Sequence, residues 1–252
     1  MRRDPIVLFD NGTHRCMMFD DLVSGEGVQS NQFLIIDHDQ YLLLDPGGDL
    51  TYVPLTMELS RHIPVQELTY IFASHQDPDI IASLDKWLLH TRAQVICSKL
   101  WARFLPHLTA NYLALSRGIN TYERIIALPD RGQSFAVGRC TLKAVPAHFL
   151  HSVGNFQLYD PLSKILFSGD MGASMLDDSG PVADFAAHVP SMLGFHRRYM
   201  ASNKACRLWA AMVRGMDVEM IVPQHGRPFV GREMISAFLY WIENLELSLI
   251  HI

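Results

Sequence analysis

Imidazole and carboxylate groups recur at a few places in this chain, and their types and spacing suit metal binding. His75-Gln76-Asp77-Pro78-Asp79 sets a histidine and two aspartates at alternate positions, one short loop holds both His148 and His151, Asp170 closes Ser168-Gly169-Asp170, and His225 lies in Pro223-Gln224-His225-Gly226. A neutral imidazole nitrogen and an ionised carboxylate oxygen are the usual protein ligands of first-row metal ions. Taken singly, each residue has an ordinary explanation as a turn former or a solvated group. Together they are less ordinary, because each cluster follows a short β-rich run, and strand-to-loop junctions are where α/β sheets place their chemistry.

The elements that must position these residues alternate between strand-like and helix-period segments, in two halves of similar style. In the first half, Val28 to Ile36 reads as a strand and Gln40 to Leu44 as its hairpin partner across Asp37-His38-Asp39. A helix is expected from about Tyr52 to Arg61, then a buried strand Leu68 to Ala73, then a second helix from Ile80 with Ile80, Leu84 and Trp87 or Leu88 on one face. In the second half, Cys140 to Val145, Asn155 to Tyr159, Lys164 to Phe167 and Val218 to Val222 read as strands. A helix is expected around Arg197 to Met216 and a last one from about Arg232 to Ile250. Four strand ends then deliver 75 to 79, 151, 170 and 225, and these ends can converge on one edge of a two-sheet sandwich.

Composition narrows the class. At 252 residues with 49% hydrophobic and 19% charged residues, the chain has material for a large core and reads as one domain over 1-252. A net charge of −5 without a Lys/Arg cluster argues against nucleic acid. Ile6 to Phe9 is too short for a signal peptide, and no apolar stretch approaches the roughly 18 to 20 residues of a membrane span. The 4 cysteines, Cys16, Cys97, Cys140 and Cys206, show no ligand-like spacing and suit buried, reduced thiols in a cytoplasm.

The loops and their order resemble those of the metallo-β-lactamase superfamily, whose HxHxDH loop, later histidine, Gly-Asp turn and C-terminal histidine line a dinuclear site. The likeness covers nearly the whole chain. Here the first motif reads His75-x-Asp77-x-Asp79-Ile80, with a carboxylate for the second histidine and an aliphatic residue for the last. The flavodiiron branch makes the same kind of exchange, and within it the stand-alone oxygen-binding diiron proteins are most similar. The resemblance implies an α/β fold, the αββα sandwich of two mixed sheets packed between helices. It also implies two iron ions, cycling between Fe2+ and Fe3+ with an oxo, peroxo or water bridge.

In that reading Asp170 bridges the ions, since one carboxylate has two oxygens and offsets part of their mutual repulsion. His75, Asp77 and His151 complete one iron, and Asp79 and His225 bind the other. Three histidines with three aspartates favour iron or manganese over zinc. His151 is preferred to His148 because the following Ser-Val-Gly-Asn resembles the superfamily turn. His148 then lines the pocket behind the ligands, or becomes the ligand itself if the loop alignment shifts. Ile80 in place of a histidine leaves the second iron open positions for dioxygen or nitric oxide.

The resemblance implies two activities, reversible dioxygen binding for sensing or storage, and reduction of oxygen or nitric oxide by electrons from a separate flavoprotein or rubredoxin. No flavin-binding loop follows on this chain, which favours binding. Whether the protein is an enzyme stays open, and a zinc hydrolase of the metallo-β-lactamase type is the lower alternative. The partner would be a signalling or electron-transfer protein. Tyr199, near an expected helix start at Phe195 to Met200, could donate a hydrogen bond to bound dioxygen, with helix packing its other reading. His196 reads as a surface residue. The histidines at 14, 38, 62, 90, 107, 188 and 251 fit no motif and are expected to be exposed, and Met171, Met175, Met192 and Met200 read as core filler rather than gas-pocket lining. The stripe Ile235, Phe238, Leu239, Ile242, Leu245 and Leu249 suits packing on a sheet, or in part the homodimer that the resemblance implies.

Overall fold

A computed structural model describes residues 4–108, 118, 120–176, 178 and 180–247. It divides into two compact units, Met1–Leu142 and Lys143–Ile252, each with its own apolar core.

The first unit is built on a seven-stranded sheet in sequence order: β1 (Ile6–Asp10), β2 (His14–Phe19), β3 (Gln32–Asp37), β4 (Gln40–Leu44), β5 (Tyr70–Ala73), β6 (Gln94–Ser98) and β7 (Ile125–Leu128). The first four strands pair antiparallel and the last four parallel, so the sheet is mixed. Leu42 to Leu44, Ile71 to Ala73 and Val95 to Cys97 are buried without alternation, as parallel strands covered on both faces must be. Helices α1 (Asp49–Leu59), α2 (Pro78–Ile81), α3 (Leu84–His90) and α4 (Lys99–Ala102) complete the unit, with β8 (Gln133–Val137) after β7. Leu55, Leu59, Ile80, Leu84, Trp87 and Leu88 join the strands in one core.

Several boundaries differ from the sequence expectation. β3 starts at Gln32 rather than Val28, because its partner β2 ends at Phe19, which is paired with Gln32, and nothing upstream has a ladder to join. α1 begins three residues early, with Gly48 as its N-cap and Asp49 in its first turn. The helix expected from Ile80 is two short ones, although Ile80, Leu84, Trp87 and Leu88 are all buried as predicted. Ser83 interrupts it: its hydroxyl donates to the Gly47 carbonyl at 2.7 Å and accepts from Trp87 Nε1 at 3.0 Å.

β9 (Cys140–Pro146) carries the chain into the second unit, where the strands are ordered β13-β12-β11-β10-β9. These are β10 (Phe156–Asp160), β11 (Ile165–Phe167), β12 (Met220–Val222) and β13 (Phe229–Val230), with β11 and β12 parallel and the other pairs antiparallel. Helices α5 (Phe185–Tyr199), α6 (Asn203–Arg214) and α7 (Arg232–Glu243) supply Met192, Cys206, Trp209, Val213, Ile235, Phe238 and Ile242 to the second core.

The single helix expected over 197 to 216 is therefore two. Met200 turns extended, and the Ser202 hydroxyl caps α6 by accepting from Ala205 N at 3.1 Å. α5 begins at Phe185 despite Pro190, with Asp184 accepting from Ala187 N. The apolar stripe is buried through Leu245, as its spacing predicted, but α7 itself ends at Glu243 with Asn244 as its C-cap, short of the expected Ile250, and Leu249 lies outside the described residues. All four cysteines are buried, and none forms a disulfide. Among the described residues no helix is long and apolar enough to cross a membrane.

Candidate metal centre

In the first unit the three candidate ligands come from one short stretch, His75 and Asp77 from the loop after β5 and Asp79 from the first turn of α2. Ser74 donates twice to Asp45, from its backbone N–H to Oδ1 at 2.8 Å and from its hydroxyl to Oδ2 at 2.9 Å. With its proton committed there, Ser74 Oγ accepts from His75 Nδ1 at 2.9 Å. That places the imidazole proton on Nδ1 and leaves the Nε2 lone pair as the donor to a cation, the arrangement in which an outer partner orients a histidine ligand. His75 Nε2 faces Asp77 Oδ2 at 3.8 Å, and His75 is buried while Asp77 and Asp79 are half-buried.

The same loop is fastened to the Asp45–Asp49 segment. Gly47 N donates to Ile80 O and Asp45 N to Phe72 O. A Cβ on Gly48 would stand 2.7 Å from the Pro78 carbonyl, so this crossing needs glycine. Pro78 at the first helical position stops any strand extension and starts α2, which spaces Asp77 and Asp79 around it.

In the second unit the candidates lie on three separate segments. His151 sits in a tight reversal after β9, where Phe149 and His151 both have positive φ, +65° and +48°, on either side of buried Leu150. Backbone bonds Phe149 N to Ser152 O and Ala147 N to Asn155 O close the reversal, and Asn155 Nδ2 donates to the Leu150 carbonyl. Asp170 follows β11 and His225 follows β12. These two loops are joined by Gln224 N to Gly169 O at 2.8 Å and Ser174 N to His225 O at 3.0 Å. Buried Gln157 on β10 braces them from below, donating to Ser168 O and accepting from Trp209 Nε1, both at 2.8 Å.

The outcome is a carboxylate shared between two imidazoles. Asp170 Oδ2 lies 3.3 Å from His151 Nε2 and Asp170 Oδ1 lies 3.5 Å from His225 Nε2, with Asp170 only 3% exposed. Each oxygen thus faces its own histidine nitrogen, the donor layout of a bridging carboxylate between two cations. The donor set fits two iron ions: imidazole nitrogens with hard carboxylate oxygens and no thiolate.

A family model described as ODP family beta lactamase matches residues 28–226. The chain belongs to the ODP family. Two solved structures of the chemotaxis sensor ODP are similar over nearly their whole length. One, a peroxy diiron species, is 38% identical with a TM-score of 0.85, covering 98% of this chain and 97% of that one. The other, the apo state from T. denticola, is 37% identical with a TM-score of 0.83, covering 97% and 96%. A flavo di-iron protein variant from Thermotoga maritima, 19% identical, shares the fold at a TM-score of 0.74 over 96% of this chain and 63% of that one. An uncharacterized protein of Methanocaldococcus jannaschii is 24% identical over 227 residues, 86% of this chain and 54% of that protein, so the chain spans about half the length of this curated relative. The resemblance to the flavodiiron branch read from the loops is thereby borne out, as is the α/β class with two mixed sheets.

Within this ODP-family frame several sequence expectations change. His196 is not a surface residue: it is fully buried at the end of α5, not at a helix start, because its ring finds both a donor and an acceptor inside the core. His14 and His188 are also buried rather than exposed, His14 through its Nδ1 bond to Asp37 Oδ2 at 2.9 Å, while His251 lies outside the described residues. Met171, Met192 and Met200 fill the second core as expected, and Met175 is exposed. Tyr199 stands edge-on to the His151 ring at 5.3 Å and stacks on Phe195 at 4.8 Å. His148 packs edge-on against Phe156 at 5.1 Å, half-buried beside the reversal. Asp45, Gln157 and Asn155 were missed as supports. Only Asp45 left a signal, an acidic residue in the Asp-Pro-Gly-Gly stop directly before the first helix.

Proposed function

We propose that His75, Asp77, Asp79, His151, Asp170 and His225 together hold two iron ions, and that the protein binds dioxygen as a cytoplasmic oxygen sensor. The observation that carries this reading is Asp170, whose two oxygens each face a different histidine, in a chain 38% identical to an ODP sensor solved as a peroxy diiron species. Ferrous iron, where these residues hold it, would supply the electrons for dioxygen binding. His75 presents Nε2 because Ser74 and Asp45 hold its other nitrogen. Asp170 would be shared by the two ions, and Ile80, buried where the superfamily places a further histidine, would leave the second ion with fewer protein ligands. Tyr199, half exposed and edge-on to the His151 ring, would bring its phenol group beside that imidazole, as a hydrogen-bond donor to the ligand.

The test is the iron content of protein made in iron-supplemented cells, followed by anaerobic reduction and titration with dioxygen. Two irons per chain with an optical change that reverses on degassing is the expected result. Sustained consumption of oxygen or nitric oxide with a flavoprotein or rubredoxin would make it a reductase instead. A preparation that takes up mainly zinc would return the hydrolase reading.

A further inference from the structure

A buried histidine in an apolar core needs a reason, since leucine would fill the space without the cost of desolvating two ring nitrogens. His196 is fully enclosed, with the Trp241 ring edge-on at 5.1 Å and the Phe195 ring edge-on at 5.4 Å. Its Nδ1 donates to the Met192 carbonyl at 2.9 Å, which fixes the tautomer, and its Nε2 then accepts from the backbone N–H of Gly172 at 3.0 Å.

Gly172 lies two residues past Asp170, in a turn too tight for a side chain: its φ is +96°, and a Cβ there would meet the Phe229 ring at 2.6 Å. Within the turn, Met171 N and Ala173 N are satisfied by Ser168 O and Asp170 O. The Gly172 N–H points out of the turn and needs an acceptor from elsewhere, which leucine does not offer.

We propose that His196 is a positioning residue for Asp170, its Nε2 anchoring the Gly172 N–H and so fixing the turn that aims the Asp170 carboxylate at His151 and His225. The same helix, α5, presses Phe195 and Tyr199 on the His151 ring, so one element sets two of the second unit's three candidate ligands. This rests on the metal-holding role proposed above.

The experiment titrates the metal-free chain with Co2+, following stoichiometry and visible bands, in wild type, His196→Leu and His196→Gln. His196→Leu is expected to bind Co2+ about 10 to 100 times more weakly, with altered bands, as when a partner behind a ligand is removed. Glutamine offers an oxygen to Gly172 N–H, so His196→Gln should bind within about threefold of wild type. A role in folding alone would lower thermal stability in His196→Leu and leave affinity and bands at wild-type values, which overturns the inference. If the leucine variant does not fold, the wild-type protein still decides: a through-hydrogen-bond 15N–15N coupling between Gly172 N and His196 Nε2 is expected, and its absence overturns the inference. Wild-type protein that takes up no metal overturns the proposed function and this inference with it.

Discussion

The two units deliver their candidate ligands by opposite strategies. The first draws His75, Asp77 and Asp79 from five consecutive residues and steadies them with a local chain, Asp45 to Ser74 to His75. The second gathers His151, Asp170 and His225 from segments scattered over its length, and steadies them with backbone bonds between loops and with buried Gln157, Trp209 and His196. A contiguous loop can be oriented by one outer carboxylate. Ligands far apart in sequence need the whole core behind them.

This contrast can be broken most sharply at Asp170. Replacing it with alanine should remove both ions from the purified protein, whereas Asp79→Ala in the first unit should remove one. Metal analysis distinguishes them, and an Asp170→Ala protein that keeps a full ion would refute the bridge.

Acid should then separate the units. Burial pushes the His196 imidazole down to about 4, against partial compensation from the Met192 carbonyl and the Asp170 charge. The unfolded chain therefore binds more protons between pH 6.5 and 4, and stability falls through that window as pH drops, by about 3 kcal/mol in total. Asp37 in the first unit behaves otherwise. Burial raises it, but donors from Arg139 N, His38 and His14 outweigh that and hold its pKa below 3.8, so its contribution is lost only at lower pH. Denaturant melts of the metal-free protein at pH 7 and pH 4.5 should show the loss in wild type and a smaller one in His196→Gln.

A smaller effect is expected at Asp45. In Asp45→Asn an amide can face the Ser74 hydroxyl, which then donates to His75 Nδ1 and moves the imidazole proton to Nε2. Metal affinity should fall about 10- to 100-fold with the melting temperature nearly unchanged; a wild-type affinity would show that the first loop orients itself. Smallest is Trp209→Phe, which removes the donor to Gln157 and should cost about 1 kcal/mol of stability by chemical denaturation, without loss of metal.

The chain's own order of residues determined the class of fold and the buried strands leading to each loop, and it supplied the candidate ligands with His148 left beside His151, because strand periodicity and the His-x-Asp-x-Asp loop are local signals. Local signals also misled at the boundaries: Ser83 and Ser202 interrupt helices that looked continuous, and α5 runs through Pro190. Only tertiary structure decided which nitrogen His75 presents, that Asp170 is shared between His151 and His225, and that His196 belongs to the core. Each of these depends on a hydrogen-bond or charge partner tens of residues away, and a partner at that distance leaves no pattern in the residues around it.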